Sequence, residues 1–318
     1  FKQKTAYEIR LSLVGSEMCI RDRVGGVGSD YLNGGDGDDT FIIGADNRTL
    51  DGIYSLVTVD GNSGTNALII DDRVDQTANT YDFSLSRMVR GSQRVNYSGI
   101  AALELRAGQR ADTINGTANI PALTIDGGGG YDRINLRLSG ATAVTAIAGA
   151  GGGQLTLDNQ YTNFGATSEG RYTITDSQVR VGEWHPSLKG GYVVPQVTVN
   201  HSGFNALKLN ADDRSDLIRV QTTATSGIQA TVNAGYGDDI VVGSSGDDIL
   251  NGDAGNDTLF GGAGNDRISG GGDVDMVSYL TSPSGVVVNI DENKNYRNDR
   301  QSNANAAINP DNPAAYYT

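Results

Sequence analysis

Five nine-residue units follow one another without a break from Ala234 to Ser278: AGYGDDIVV, GSSGDDILN, GDAGNDTLF, GGAGNDRIS and GGGDVDMVS. The sixth position is always aspartate: Asp239, Asp248, Asp257, Asp266 and Asp275. A bulky apolar residue follows two places later, at Val241, Leu250, Leu259, Ile268 and Val277. Glycine holds the fourth position in Gly237, Gly246, Gly255 and Gly264, and Asp273 replaces it in the last unit. Gly243, Gly252 and Gly261 open their units, and Gly235 is second in the first. Such glycines admit positive φ, so six residues can curl tightly before a three-residue strand. The strand's middle side chain points to one face and cannot be buried by one unit alone. Units must therefore stack, which restricts the chain to a repeat architecture.

This nonapeptide resembles the RTX family, the haemolysin-type calcium-binding repeats, whose signature is an established pattern. The resemblance implies an all-β fold, a right-handed parallel β-roll or β-solenoid with two units per coil. Alternate units then share an edge, with Asp239, Asp257 and Asp275 in one column and Asp248 and Asp266 in the other. Ca2+ would lie between loops 234–239 and 252–257, 252–257 and 270–275, and 243–248 and 261–266. The last unit of the longer column lacks the fourth glycine, which makes its loop the least regular.

Charge supports a cation. Residues 234–278 hold nine Asp and one Arg, a net of −8. Stacked strands are about 4.8 Å apart. Two carboxylates at that spacing repel by roughly 3–4 kcal/mol at a surface-like dielectric. Calcium takes six to eight oxygen ligands, which turn carbonyls and carboxylates supply. Binding and folding are then expected to be coupled.

Two further units, 25–33 and 34–42, keep the pattern through Asp30 with Leu32 and Asp39 with Phe41. On the alternating scheme they lie on opposite edges, and their same-edge partners are expected upstream. Between the blocks, residues 57–70, 123–136, 197–210 and 230–243 share a β-branched run, a Gly-rich turn and an alternating run. Strand–turn–strand coils of an irregular β-solenoid fit best, with an immunoglobulin-like sandwich as the alternative. ADTINGTA (111–118), YDRINL (131–136) and RSDLIRV (214–220) keep an Asp-x-apolar core, with Asp112, Asp132 and Asp216, and read as structural coils rather than calcium sites.

Residues 2–9 and 13–22 resemble translated sequencing-library adapters, and 1–23 is set aside from the fold reading. The remaining expected segments are N-terminal repeats at 24–49, the irregular solenoid at 50–232, the β-roll at 233–279, and a short strand pair with a polar, truncated linker at 280–318. The only cysteine, Cys19, lies in the adapter-like stretch, so a disulfide framework is excluded. A net charge of −14 argues against nucleic acid and anionic membranes as partners. No apolar run reaches the length of a membrane span.

Catalytic motifs are absent. His185 and His201 do not form H-E-x-x-H. GNSG (61–64) only faintly evokes a serine nucleophile loop, and EWHP (183–186) reads as a surface turn. The expectation is a non-catalytic, calcium-binding segment of a large secreted or cell-surface protein, adhesin-like or structural. A cell-surface or glycan ligand and type I secretion are its corollaries. The alternative is the accessory region of a secreted protease, lipase or polysaccharide-modifying enzyme.

Overall fold

Val241, Leu250 and Leu259 are wholly buried, and Ile268 and Val277 pack partly against them. The eighth position of each unit therefore faces one shared interior. A computed structural model describes residues 19–21, 29–44, 48–53, 56–139, 142–159, 169–185 and 192–279. Among these residues every regular element is a strand. The strands fall into two sheets, of thirteen and twelve strands. Among the described residues no helix is long and apolar enough to cross a membrane, which says nothing of β-barrels.

The chain passes alternately from one sheet to the other. Ile240–Val242, Thr258–Phe260 and Met276–Ser278 are parallel neighbours in the first sheet. Gln229–Asn233, Ile249–Ala254 and Arg267–Gly272 are parallel neighbours in the second. Val241 pairs with Leu259, and Leu250 with Ile268, each eighteen residues on. One coil is thus two nonapeptides, and a one-residue slip would turn every apolar side chain outward.

The same two sheets run back through the central region without a break. Coils there are longer: Leu103 pairs with Leu123, twenty residues on, and Leu207 with Ala230, twenty-three on. Burial alternates along these strands, as in Asp132–Leu138, where Ile134, Leu136 and Leu138 point inward. The irregular solenoid is therefore the structure of the centre, and the immunoglobulin-like alternative is not. Near the start, Cys19–Arg21, within the adapter-like stretch, pairs in parallel with Thr40–Ile43. An open sheet edge offers backbone groups to any extended segment.

Two insertions interrupt the parallel order. Thr80–Phe83, Arg87–Arg90 and Gln93–Ser98 form an antiparallel trio in the second sheet. Glu169–Thr175, Gln178–His185 and Tyr192–Ser202 do the same in the first. In both, the chain skips ahead and zigzags back, so the last strand of the trio meets the preceding coil. Three strands preserve the direction of travel, and one trio per sheet keeps the strand counts nearly equal. The first strand of each carries a fully buried tyrosine, Tyr81 or Tyr172. Tyr81 Oη donates to Asp72 Oδ2 at 2.6 Å and Tyr172 Oη to Asp212 Oδ2 at 3.1 Å. A buried phenol needs such an acceptor. The second trio also corrects one expectation: the backbone of Glu183–His185 is strand, not turn.

Truncating Leu250 to Ala should destabilise the calcium-saturated chain by about 3 kcal/mol, since its side chain sits between the sheets with no exposure. Urea denaturation in excess calcium measures it. A cost below about 1 kcal/mol would mean that the block is not packed around its eighth positions.

Candidate metal centre

The sixth-position carboxylates form hydrogen-bonded columns along the two long edges. On the edge where the chain leaves the second sheet, Asp239 N–H donates to Asp257 Oδ1 at 2.9 Å. Asp257 N–H donates in turn to Asp275 Oδ1 at 3.1 Å. On the opposite edge Asp248 N–H donates to Asp266 Oδ1 at 3.1 Å. The alternation implied by the resemblance is thus the arrangement present. Asp239, Asp248, Asp257 and Asp275 are buried, and Asp266, near the end of the stack, is half-buried.

One oxygen of each inner carboxylate accepts a hydrogen bond, from the stacked amide at Asp239 and Asp257 and from Ser244 N–H of its own loop at Asp248, and the other does not. Asp239 Oδ2, Asp257 Oδ2 and Asp248 Oδ1 are buried without a hydrogen-bond partner. An orphaned anionic oxygen is costly in such surroundings. Glycine at the first position makes room for the group: a Cβ on Gly252 would lie 2.2 Å from Asp257 Oδ2, and one on Gly261 2.5 Å from Asp266 Oδ2. Gly243 instead faces the next turn, where a Cβ would meet Gly261 O at 2.2 Å. The fourth position carries the curl. Gly255 has φ 128°, and its absent Cβ would sit 1.8 Å from Gly237 O. Gly237 and Gly264 share this conformation, as does Gly235 at the second position.

Two departures concern this pattern. Asp273, in the place of glycine, adopts φ 66° and keeps the turn. Asp tolerates this region better than most residues. Gly246 does not adopt positive φ. Its loop stacks on the longer segment 222–228, where Thr222 Oγ1 donates to Ser244 Oγ at 3.1 Å.

Burial, first, and neighbouring carboxylates push these acids up. Asp239 rises to about 8, with Asp257 as the adjacent charge, and Asp257 to about 6 with Asp275 beside it. Asp266 rises to about 6 and Asp248 in the same direction, both chiefly through burial. Without a cation, the folded block therefore holds more protons than the unfolded chain between about pH 4 and 8. Stability of the metal-free fold should fall as pH rises through that window. Asp71 behaves differently: burial pushes it up, but hydrogen bonds and charge from Arg73 hold it below the usual value. Its contribution is lost only in stronger acid. In chelator the chain should thus keep more β signal, read by circular dichroism, at pH 5 than at pH 8. With calcium the order should reverse, because protons compete for the ligands. A chelated β signal that rises from pH 5 to 8 would contradict the crowding of carboxylates.

Among the described residues no three His, Cys, Asp or Glu side chains converge as a metal cluster. A cation here must draw on backbone carbonyls besides the carboxylates, as hard oxygen-seeking ions do. The donor set fits calcium: orphaned carboxylate oxygens beside glycine turns, with no cysteine or histidine in residues 234–278. Asp239, Asp248, Asp257, Asp266 and Asp275 would supply the charge and the turn carbonyls the remaining ligands.

A family model described as RTX calcium-binding nonapeptide repeat (4 copies) matches residues 24–50, 231–259 and 242–277. Both blocks are RTX repeats. RTX repeats imply calcium as the bound ion. No curated protein matches the chain.

The N-terminal RTX block is only partly described: Asp30 begins the strand Asp30–Asn33, and most of loop 25–30 lies outside the described residues. Loop 34–39 is clear and has a partner downstream; the upstream side of the same edge lies outside the described residues. Asp39 N–H donates to Asn66 Oδ1 at 2.8 Å, and Asp39 Oδ2 is another buried orphan. The partner loop is 61–66, GNSGTN, in which Asn66 takes the sixth position. A Cβ on Gly64, φ 109°, would fall 2.0 Å from Gly37 O. GNSG is thus a stacked repeat turn rather than a nucleophile loop.

The fifth positions hold a second column that the sequence reading missed. Asp238 Oδ1 accepts from Asn256 N–H at 2.8 Å, Asp247 Oδ1 from Asn265 N–H at 2.8 Å, and Asp38 Oδ1 from Thr65 N–H at 2.6 Å. Its signal was available: Asp238, Asp247, Asn256 and Asn265 are all Asp or Asn. Other loops carry a cation of their own. The buried Arg90 bridges Asp72, Asp75 and Asp51, and Arg214 pairs with Asp212 at 2.6 Å. His201 is buried with Nε2 3.0 Å from Thr175 O, and burial lowers its pKa. The side chain of His185 lies outside the described residues.

Proposed function

We propose that this chain is a non-catalytic, calcium-folded segment of a large secreted or cell-surface protein, adhesin-like or structural. The observation that carries it is the column of buried carboxylates with unpartnered oxygens in the RTX block. Without a cation those charges oppose stacking; with one they tie each coil to the next. Calcium is scarce inside cells and abundant outside. A chain folded this way stays open until it is exported, which suits a type I secretion route. The second reading, an accessory region of a secreted enzyme, shares the same repeats and would be favoured by a catalytic motif in the parent sequence. A glycan or cell-surface ligand would engage the outer sheet faces.

Limited proteolysis of the chain at submicromolar and millimolar calcium tests the folding role. Fragments spanning 234–278 should survive only at millimolar calcium. Equal survival at both levels, or equal loss, would sink the reading.

A further inference from the structure

The central solenoid contains a turn that the family match leaves out. Residues 127–135, GGGGYDRIN, satisfy the repeat at its first, second, fourth, sixth and eighth positions. Their loop stacks on 107–112, on the same edge as Asp248 and Asp266. The backbone contacts are those of the RTX block. Gly129 N–H donates to Gly108 O at 2.9 Å, as Ala254 N–H donates to Gly235 O at 2.9 Å. Gly128 and Gly130 have φ 82° and 89°. Asp112 N–H donates to Asp132 Oδ1 at 2.8 Å, repeating the carboxylate column.

Asp132 has no exposed surface, and its Oδ2 is buried without a partner. That oxygen points into the turn, where a Cβ on Gly127 would lie 2.5 Å away. No lysine or arginine pairs with Asp132 among the described residues, in contrast to Asp72 and Asp212. Arg133 instead lies over the Tyr131 ring, 5.8 Å from its centroid. A buried carboxylate oxygen without a partner calls for a counter-ion or a proton. We propose that loops 107–112 and 127–132 hold a further divalent cation of the calcium class, with Asp112 and Asp132 as its anionic ligands and turn carbonyls as the rest. The choice of calcium rests on the reading of the RTX block; the site itself does not. It would make the solenoid centre calcium-responsive and amends its reading as purely structural coil.

Hydrogen exchange on the full chain, with calcium and with chelator, resolves 107–135 from 234–278. Calcium should protect 107–135, and Asp132→Asn should abolish that gain while 234–278 keeps its own. Calcium-independent protection of 107–135, or a gain that survives Asp132→Asn, would overturn the proposal; the latter would show an effect transmitted from the RTX block. A calcium response in 107–135 alone would leave the site standing and remove the calcium reading of 234–278. If Asp132→Asn leaves 107–135 unprotected under both conditions, terbium decides. Tyr131 is exposed and adjacent, so Tyr131→Phe should lower tyrosine-sensitised terbium emission while sparing every ligand. Unchanged emission overturns the site.

Discussion

Replacing Asp257 by Ala should raise the calcium concentration needed to fold residues 234–278 by roughly tenfold or more, about 1.4 kcal/mol per decade. Asp257 stands in the middle of its column. Its Oδ1 accepts from Asp239 N–H, its own N–H donates to Asp275, and its other oxygen has no partner in the protein. Removal takes a charge from two stacked loop pairs and strands the buried Asp239 amide. Asp266→Ala should cost less, because Asp266 is half-buried and closes only one pair. Asp257→Asn separates the parts: the amide oxygen still accepts from Asp239, so a loss similar to that of Ala assigns the effect to charge. Calcium titrations followed by circular dichroism measure all three. An Asp257→Ala midpoint no higher than that of Asp266→Ala would refute the shared role.

Gly255→Ala should destabilise the calcium-bound block by more than about 3 kcal/mol. The left-handed backbone alone costs an alanine roughly 1–3 kcal/mol. The new Cβ would lie 1.8 Å from Gly237 O, so adjacent turns must also separate. Separation opens the cation site, and added calcium should not rescue the variant. Gly246 has the same place in its own unit and the opposite expectation. Its φ is not left-handed, and a Cβ there meets nothing nearer than Ser244 Oγ at 3.7 Å. Gly246→Ala should fall within about 0.5 kcal/mol of the parent. Equal effects at the two positions, read by urea denaturation in calcium, would contradict the stacking geometry.

The eighteen-residue coil and the two aspartate columns were legible because strict phase leaves little freedom: a nonapeptide must return to the same edge every second unit. Asn66 was not, because it neutralises the sixth position while keeping its hydrogen bond, so residue type concealed a preserved turn. The downstream partner of Asp39 went unread for the same reason. The antiparallel trios lay beyond periodicity. Their strands alternate like any others, and only long-range pairing shows that the chain doubles back. Arg90 illustrates the limit: its cluster joins residues up to thirty-nine apart, and no local pattern announces it. The coil at 123–136 was legible from its Gly-rich turn, but the bond from Asp112 N–H to Asp132 Oδ1, twenty residues on, was not.

The most direct test is far-ultraviolet circular dichroism of the chain during a calcium titration, with magnesium as the control. A cooperative gain of β signal is expected with calcium and little with magnesium, whose small octahedral shell suits a carbonyl-lined turn poorly. A full β signal in chelator at neutral pH, unchanged by calcium, would contradict it.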